Sequence, residues 1–204
     1  MSDTPAPHHG RAEETRQRLL HTAEHLFAAD GYDATRVRAI SREAGVADGL
    51  LYHHFPGGKQ ALLQTLLKER CRVIIAGFDA HITSLRNLPI ADALERIYTH
   101  ANDVLTSHIT FFRIMSRERT ARALAEYEQS MALFQQRGGW FPAMLAERAA
   151  AGEIAAMDYT CAAELVQALI MNHVVFTLAG FRGPLSDSSH RRRLAAYQAE
   201  LWHT

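Results

Sequence analysis

This sequence of 204 residues contains few cysteines and has no formal net charge. Cysteine occurs twice, at Cys71 and Cys161, each inside an apolar pattern of helical period and far from the other. This spacing indicates buried, reduced thiols in an intracellular protein and argues against a disulfide framework or a cysteine-based metal site. Basic and acidic residues number 22 each, so no global field points to nucleic acid or to a membrane surface as a partner.

Long hydrophobic runs and a signal sequence are also missing. No stretch approaches the roughly 18 consecutive apolar residues of a membrane-spanning helix, and the opening MSDTPAPHHGR has no basic region followed by an apolar one. We therefore expect a soluble, cytoplasmic protein without a membrane partner. Residues 1–10 are predicted to form a disordered arm, because their few apolar side chains cannot offset the entropy of ordering.

Apolar residues at helical spacing fill most of the chain. A first helix is predicted over residues 15–29, a second begins at the N-cap Thr35 and ends at Gly45, and a short third one is capped by Asp48. Further helices are predicted over residues 59–85, 89–107, 109–116, 117–137, 159–179 and 188–202. An interruption is expected near Gly138-Gly139 and Pro142. Asp158 is the predicted N-cap of the helix that starts at residue 159. No alternating strand pattern occurs, and the sequence predicts an all-α protein.

The second and third predicted helices have the order of a helix-turn-helix motif, in which the later helix enters the major groove of DNA. Gly45 supplies the positive φ of the tight turn, and Val46 and Leu51 are placed to pack against Ile40. Outward positions of the third helix are then occupied by Leu50, Tyr52, His53 and His54.

Residues 11–63 resemble the N-terminal DNA-binding domain of the tetracycline-repressor (TetR) family of transcriptional regulators. The resemblance is carried by LFAADGYDATRVRAISREAGVADGLLYHHFPGGKQAL, with matches at Phe27, Gly31, Tyr32, Thr35, Val37, Ile40, Ala44, Gly45, Val46, Gly49, Leu51–Phe55 and Lys59. It implies a homodimer in which residues 11–58 form a three-helix DNA-binding head. Residues 59–204 would form a helical C-terminal domain that binds a small molecule and makes the dimer.

DNA contacts are expected around the third helix and at the start of the second, where free N–H groups and arginines together suit phosphate. The predicted DNA-binding residues are Arg36, Arg38, Ala47, Asp48, Gly49, Leu50, Tyr52, His53, His54 and Lys59. Several of these depart from the family pattern, which often has serine or threonine at Ala47 and Leu50 and a basic residue at Asp48. Asp48 would repel phosphate unless it caps the helix or accepts from a cytosine amino group.

The last two helices are expected to form the dimer interface, because residues 159–179 are apolar on nearly every side. Large aromatic and methionine side chains, with a few histidines, predict a mainly apolar ligand pocket. The candidate ligand-binding residues are Phe78, His100, His108, Phe111, Phe112, Met115, Tyr127, Met131, Phe134, Trp140, Phe141, Met144, Met171, His173 and Phe176. The functional prediction is a homodimeric repressor released from a palindromic operator by a small hydrophobic or aromatic molecule.

Two other classes of function compete with this interpretation. Twelve histidines raise the possibility of a metal-responsive regulator, but adjacent His53 and His54 diverge by roughly 100° on a helix and do not suit one ion. A helical metalloenzyme would need Glu-x-x-His on two helices, and only Glu200 with His203 fits. With no phosphate loop, serine elbow or cysteine–histidine pairing, the sequence predicts no enzymatic activity, no cofactor and no bound metal.

Overall fold

The computed structural model describes residues 7–117 and 139–203, except for the side chains of 7–9 and 78–80. Within these ranges all regular structure is helical, which confirms the predicted fold class. The helices are α1 (Pro7–Asp30), α2 (Val37–Glu43), α3 (Asp48–His54), α4 (Gly58–Leu85), α5 (Ile90–Ser107), α6 (Ile109–Arg117), α7 (Trp140–Ala150), α8 (Tyr159–Leu178) and α9 (Ser188–His203). The helix predicted over 117–137 lies almost wholly outside the described residues.

The chain divides into two compact units. The N-terminal unit comprises Met1–Arg72 with Thr110–Gln129, and the C-terminal unit comprises Val73–Ile109 with Ser130–Thr204. The division falls inside α4, whereas the sequence placed it between residues 58 and 59. The helix α4 therefore contributes its first half to one unit and its second half to the other.

Helix ends differ from the prediction at three places. The first helix begins at Pro7, so residues 7–10 are helical and not part of a disordered arm, since proline is tolerated in a first turn. Thr35 is not the cap of α2, because its hydroxyl donates back to the Gly31 carbonyl at 2.7 Å and Arg36 occupies the N-cap position. Asp48 is the first residue of α3, and Ala47 is its N-cap.

The predicted cap of α8 is confirmed. The carboxylate of Asp158 accepts from the backbone N–H groups of Thr160 and Cys161 at 3.0 and 2.9 Å, which is the expected cap of α8. Pro142 lies in the first turn of α7, where the missing N–H has no intrahelical partner to lose. Neither cysteine is buried, contrary to the prediction: Cys71 is half-buried on α4, and Cys161 is exposed in the first turn of α8.

The core of the N-terminal unit joins its first four helices. Leu19 and Phe27 of α1, Ile40 of α2, Leu51 of α3 and Leu62 of α4 are each essentially inaccessible to solvent. Burial of a large aliphatic or aromatic side chain contributes about 1.5–3 kcal/mol, so these residues account for much of the stability of the N-terminal unit.

The core of the C-terminal unit is built mainly where α5 packs against α9. Leu94 and Tyr98 of α5 and Ala195, Ala199 and Trp202 of α9 belong to one buried cluster. The Tyr98 hydroxyl donates to the Gln198 side chain, and burial raises the pKa of that phenol. A buried hydroxyl needs such a partner, and this bond fixes the register of α5 against α9.

Candidate nucleic-acid interface

The turn between α2 and α3 is tight and held by backbone hydrogen bonds. Gly45 has φ +67°, and the N–H of Val46 donates to the Ser41 carbonyl at 2.9 Å. A positive φ is costly for residues with a Cβ, which explains the glycine. Ile40 and Leu51 are completely buried on either side of this turn, as predicted, so α3 is anchored by one inward side chain and presents its other faces to solvent.

The outward face of α3 carries the side chains expected to meet DNA. Ala47, Gly49, Leu50 and His53 are exposed, and Tyr52 is 50% exposed. His54 is half-buried, and its ring lies edge-on to that of His53 at a centroid distance of 5.5 Å. The seven residues of α3 therefore offer small, apolar and aromatic surface on a short helix, which suits contact with base edges and thymine methyl groups.

The ring of Tyr52 is positioned by the glycine-rich turn that follows. Gly58 has φ +58°, and a Cβ built on it would lie 3.1 Å from the Tyr52 Cε1 atom. Only glycine therefore allows both the backbone conformation and the close approach of the ring. The Phe-Pro-Gly-Gly segment thus ends α3 and also fixes the direction of the exposed Tyr52 side chain.

Three arginines surround the start of α3. Arg36, Arg38 and Arg42 line an open surface depression of about 540 Å³ together with Asp48 and Val46. Arg38 is 91% exposed, and its Nε lies 3.5 Å from the Asp48 Oδ2 atom. Although the formal charges of the whole chain balance, these arginines are concentrated beside the exposed face of α3, where phosphate neutralisation would occur.

Lys59 is held by the chain itself. Its ammonium donates to the Tyr32 and Asp33 carbonyls at 2.7 and 3.3 Å and lies 4.3 Å from the centroid of the Tyr32 ring. These carbonyls belong to the turn that follows α1, so the lysine joins the start of α4 to that turn. The structure thus gives this residue an intramolecular role that the sequence did not predict.

Two reciprocal ion pairs join α1 to α4, and sequence inspection missed both. Arg16 of α1 pairs with Glu69 of α4, while Arg70 of α4 forms a bidentate pair with Glu24 of α1. Glu24 is buried, so its carboxylate depends on this arginine. The partners are 53 and 46 residues apart, and no local pattern reports contacts at such separation.

Comparison with known protein families shows what this N-terminal head is similar to. Residues 19–66 match the family model described as bacterial regulatory proteins, tetR family. This head is therefore similar to the tetR family over residues 19–66. Among curated relatives, the uncharacterized regulator YxaF of Bacillus subtilis is 47% identical over 24% of this chain and 26% of its own length. The Tn10 TetC protein of Escherichia coli is 37% identical over 46% of this chain and 45% of its own. Both matches span less than half of these relatives.

Solved structures of tetR-family and related regulators share the fold over most of the chain. FadR from Bacillus subtilis, in complex with stearoyl-CoA, superposes with a TM-score of 0.64 at 18% identity and covers 92% of this chain and 97% of its own. A regulator from Saccharomonospora viridis, in complex with choline, gives a TM-score of 0.68 at 22% identity and covers 92% and 96%. At these identities the likeness shows the fold alone.

The candidate ligand-binding residues fall into several environments. In the N-terminal unit, Phe111 is buried and Phe112 and Met115 are half-buried on α6. In the C-terminal unit, Phe141 and Met144 are buried and Trp140 packs against the same cluster. The side chain of Phe78 and all of Tyr127, Met131 and Phe134 lie outside the described residues.

Met171 and Phe176 are exposed on α8, so the structure does not place them in the core of their unit. His173 of the same helix is buried, and its Nδ1 accepts from the Leu185 N–H at 3.2 Å. A Cβ on Gly183 would come within 2.3 Å of that nitrogen, so the loop after α8 closes directly over the imidazole. Burial lowers the pKa of His173, which keeps the ring neutral.

Two further histidines form a stacked pair within the C-terminal unit. The rings of His81 on α4 and His100 on α5 are nearly parallel, at 8° and a centroid distance of 4.1 Å. The pKa of His81 is lowered to about 4, mainly by burial and to a smaller extent by the neighbouring His100 and Arg96. Burial also lowers the pKa of His100. His108 is half-buried at the C-cap of α5. Across the described part of the chain, no three metal-binding side chains converge.

Proposed function

We propose that this protein is a DNA-binding transcriptional regulator that acts as a homodimeric repressor and leaves its operator when a small apolar molecule binds. The observation that carries the proposal is the exposed face of α3, bearing Leu50, Tyr52 and His53 and bordered by arginines, on a domain similar to the tetR family. A soluble domain gains nothing in stability from such a face, whereas a helix laid in the major groove requires it.

The distribution of charge supports DNA as the partner. Glu24 is neutralised by Arg70, and the exposed Glu43 carboxylate lies 3.6 Å from the imidazole of His25. Arg36 and Arg42, in contrast, are exposed beside α3, and the described residues include no side-chain partner for either. These arginines on one face of the domain are suited to the phosphate contacts that non-specific affinity requires.

Dimerisation through α8 and α9 is supported by apolar surface in the C-terminal unit. Leu165 and Phe181 are 63% and 66% exposed, and further large apolar side chains are exposed at Met171, Val175, Phe176, Tyr197 and Leu201. An apolar patch of this kind on a soluble protein marks an interaction surface. A second copy is the occupant that gives two recognition helices the two-fold symmetry of a palindromic operator.

A membrane is the alternative occupant of this surface. Among the described helices, α8 is long and apolar enough to cross a bilayer by length and composition. Its sequence nevertheless contains Glu164, Gln167, Asn172 and the buried His173, and polar groups of this kind are costly in hydrocarbon. These residues favour a protein partner, and with it a cytoplasmic location.

A small apolar inducer is supported by the composition of the helices and by the related structures. FadR binds stearoyl-CoA and the regulator from Saccharomonospora viridis binds choline, so regulators of this fold accept organic molecules of different polarity. In this chain, Phe111, Phe112 and Met115 on α6 provide apolar side chains that favour an apolar ligand.

The proposal is tested by selecting duplexes bound by the full chain from a random pool. The expected result is a two-fold symmetric sequence with half-sites about 34–36 Å apart or a multiple of that, occupied by two chains. The variant Tyr52→Ala should lose this preference while remaining a folded dimer. The variant Tyr52→Phe keeps the ring against Gly58 and removes only the hydroxyl, so it distinguishes a contact of the hydroxyl with DNA from the packing of the ring.

The inducer is tested on the selected duplex with acyl-CoA, aromatic acids, choline and sugars as probes. Release by the acyl or aromatic compounds is expected. Release only by choline or sugars would contradict an apolar ligand without affecting the assignment of DNA binding.

A further inference from the structure

The α8–α9 loop, residues 179–187, is fastened to α8 at the imidazole of His173. This side chain is 1% exposed, and its Nδ1 atom accepts a hydrogen bond from the Leu185 N–H at 3.2 Å. Gly183 lies directly against the same ring, since a Cβ at this position would collide with the Nδ1 atom and with the His173 backbone. The loop is therefore closed over the histidine by a hydrogen bond from its own backbone.

The other side of Leu185 is held by α9. The Leu185 carbonyl accepts from the Arg191 Nη1 at 2.5 Å, and the Nε of the same arginine donates to the Thr99 hydroxyl of α5 at 3.2 Å. The Leu185 side chain is completely buried. Through its N–H and its carbonyl, this residue joins His173 of α8 to Arg191 of α9, so the two helix ends depend on the same closed loop.

The contact between His173 and Leu185 requires a neutral imidazole. A neutral ring with its proton at Nε2 offers the Nδ1 lone pair to the Leu185 N–H, whereas an imidazolium carries N–H groups at both positions. A proton at Nδ1 would place two donors against each other. The Nε2 atom is buried, and no described residue accepts a hydrogen bond from it. The charged ring therefore gains no partner there that offsets the loss of Leu185.

The groups around the ring also favour the neutral form. Burial is the main cause that lowers the pKa of His173, and the positive charge of Arg191 on α9 adds to it. A hydrogen bond with the Gly183 backbone acts in the opposite direction and is outweighed. The helices α5 and α7 also pack against α8, and their described residues place no charged group that acts on this ring.

We propose that His173 is a pH-dependent latch: its neutral ring holds the α8–α9 loop closed, and protonation releases the loop. In an open loop the imidazole titrates near its ordinary value of about 6.5. The open form therefore binds more protons, so the stability of the closed loop is fully present above about pH 6.5 and is lost as the pH falls below it.

This latch adds a response to acid that the proposed function does not include. Its effect on assembly does depend on that function, because α8 and α9 are proposed to form the dimer interface. If both hold, sedimentation should show a weaker dimer at low pH.

Hydrogen exchange of the Leu185 amide, followed by NMR in the full chain from about pH 7.5 to about pH 5, tests the latch directly. After correction for the intrinsic exchange rate, protection of this amide should fall about tenfold for each pH unit below about 6.5, since opening is coupled to uptake of one proton. The Val166 amide, inside α8, should keep its protection. A parallel loss at both amides would indicate unfolding of the whole unit and would contradict a local latch.

Two variants separate the titrating ring from the hydrogen bond. His173→Asn places a carboxamide oxygen near the position of Nδ1, so it accepts from Leu185 and does not titrate. Leu185 should then stay protected over the whole pH range. His203→Asn is the matched control, because His203 is exposed at the end of α9, and it should keep the wild-type pH dependence.

Gly183→Ala tests the same contact from the loop and leaves His173 intact. The added Cβ prevents closure over the ring, so Leu185 should be poorly protected at every pH. The pKa of His173, read from the ring resonances, should return to about 6.5. A pKa that stays lowered in this variant would contradict the latch, and this result does not require His173→Asn to fold.

Two further outcomes overturn the inference. If Leu185 of the wild-type protein remains protected while the His173 ring titrates, protonation does not open the loop. If His173→Asn loses protection with pH as the wild type does, another group is responsible. All of these measurements are made without DNA. A protein that shows the latch and selects no duplex would therefore overturn the proposed function alone.

Discussion

Arg148 and Glu153 form an ion pair inside the C-terminal unit, with the arginine Nη1 2.7 Å from the glutamate Oε2. The second guanidinium nitrogen donates to the Leu85 carbonyl at 2.9 Å, and the other carboxylate oxygen accepts from the Ile90 N–H at 2.6 Å. The pair therefore joins the last residue of α4, the first residue of α5 and the end of α7. Backbone groups at two helix ends are satisfied by a single pair of side chains.

Removing one member of this pair should destabilise the protein strongly. Arg148→Met leaves Glu153 without its cation and the Leu85 carbonyl without a donor, and we expect a loss of about 3–5 kcal/mol in the free energy of unfolding by urea. Arg192→Met is the control, because its pair with Glu95 is exposed and should contribute less than about 1 kcal/mol. Equal losses in the two variants would show that Arg148 does not join these helix ends.

Substitution of the two adjacent leucines of α3 should affect different properties, stability for Leu51 and DNA binding for Leu50. Leu51 is completely buried, so Leu51→Ala should lower the free energy of unfolding by about 2–5 kcal/mol. Leu50 is exposed, so Leu50→Ala should change stability by less than about 0.5 kcal/mol and weaken binding to the selected duplex. Thermal unfolding and DNA binding measured on both variants check the orientation of α3. A larger stability loss from Leu50→Ala would mean that the helix is rotated from the position described.

Substitution of Lys59 distinguishes an intramolecular role of this residue from a contact with DNA phosphate. If its ammonium serves the Tyr32 and Asp33 carbonyls, Lys59→Met should cost about 1–3 kcal/mol of stability and leave the salt dependence of DNA binding unchanged. If the lysine contacts phosphate, as its place in the sequence predicted, the slope of log affinity against log salt should fall by about one. Affinity measured at several salt concentrations distinguishes the two.

The stacked histidines should make stability depend on pH. The pKa of His81 is lowered to about 4 in the folded chain, whereas it lies near 6.5 in the unfolded chain. The unfolded state therefore binds more protons between these values, and stability should fall as the pH drops from about 7 towards 4. His81→Phe should reduce this loss by a few degrees in melting temperature, whereas His21→Gln, on an exposed part of α1, should not. An unchanged pH profile in His81→Phe would contradict the stacking of His81 on His100.

Charge placed on the exposed apolar face of the C-terminal unit should prevent dimer formation. Leu165→Arg introduces a charge at a position that is 63% exposed in one chain and is proposed to be buried against the second. Sedimentation should then give a folded monomer that has lost its affinity for the symmetric site. Ala156→Arg, exposed in the loop before α8, should remain dimeric. A dimer that survives Leu165→Arg would place the interface elsewhere.

How much of the fold follows from the sequence depends on the range of the interactions involved. The helix-turn-helix motif was predictable because Gly45, Ile40 and Leu51 act over a few residues. The capping roles given to Thr35 and Asp48 were wrong because each side chain finds a different partner in the folded chain: Thr35 turns back to Gly31, and Asp48 meets Arg38 across the turn. The role of Lys59 depends on carbonyls 26 and 27 residues away, which spacing alone does not reveal.

The candidate ligand-binding residues were the least predictable part of the site. On a helix that is apolar on nearly every side, such as α8, periodicity does not assign faces. The sequence therefore could not separate the exposed Met171 and Phe176 from the buried His173 between them. Residues 118–138, which include three of the candidates, lie outside the described part of the chain.

The central claim is that the outer face of α3 reads a specific DNA sequence. Fluorescence anisotropy with the selected duplex and a scrambled duplex of equal length, at low and at moderate salt, measures this directly. We expect wild-type protein to prefer the selected duplex by at least about a thousandfold and Tyr52→Ala to bind both equally while unfolding at the wild-type temperature. Equal binding of both duplexes by wild-type protein, or no binding of either at low salt, would contradict the account.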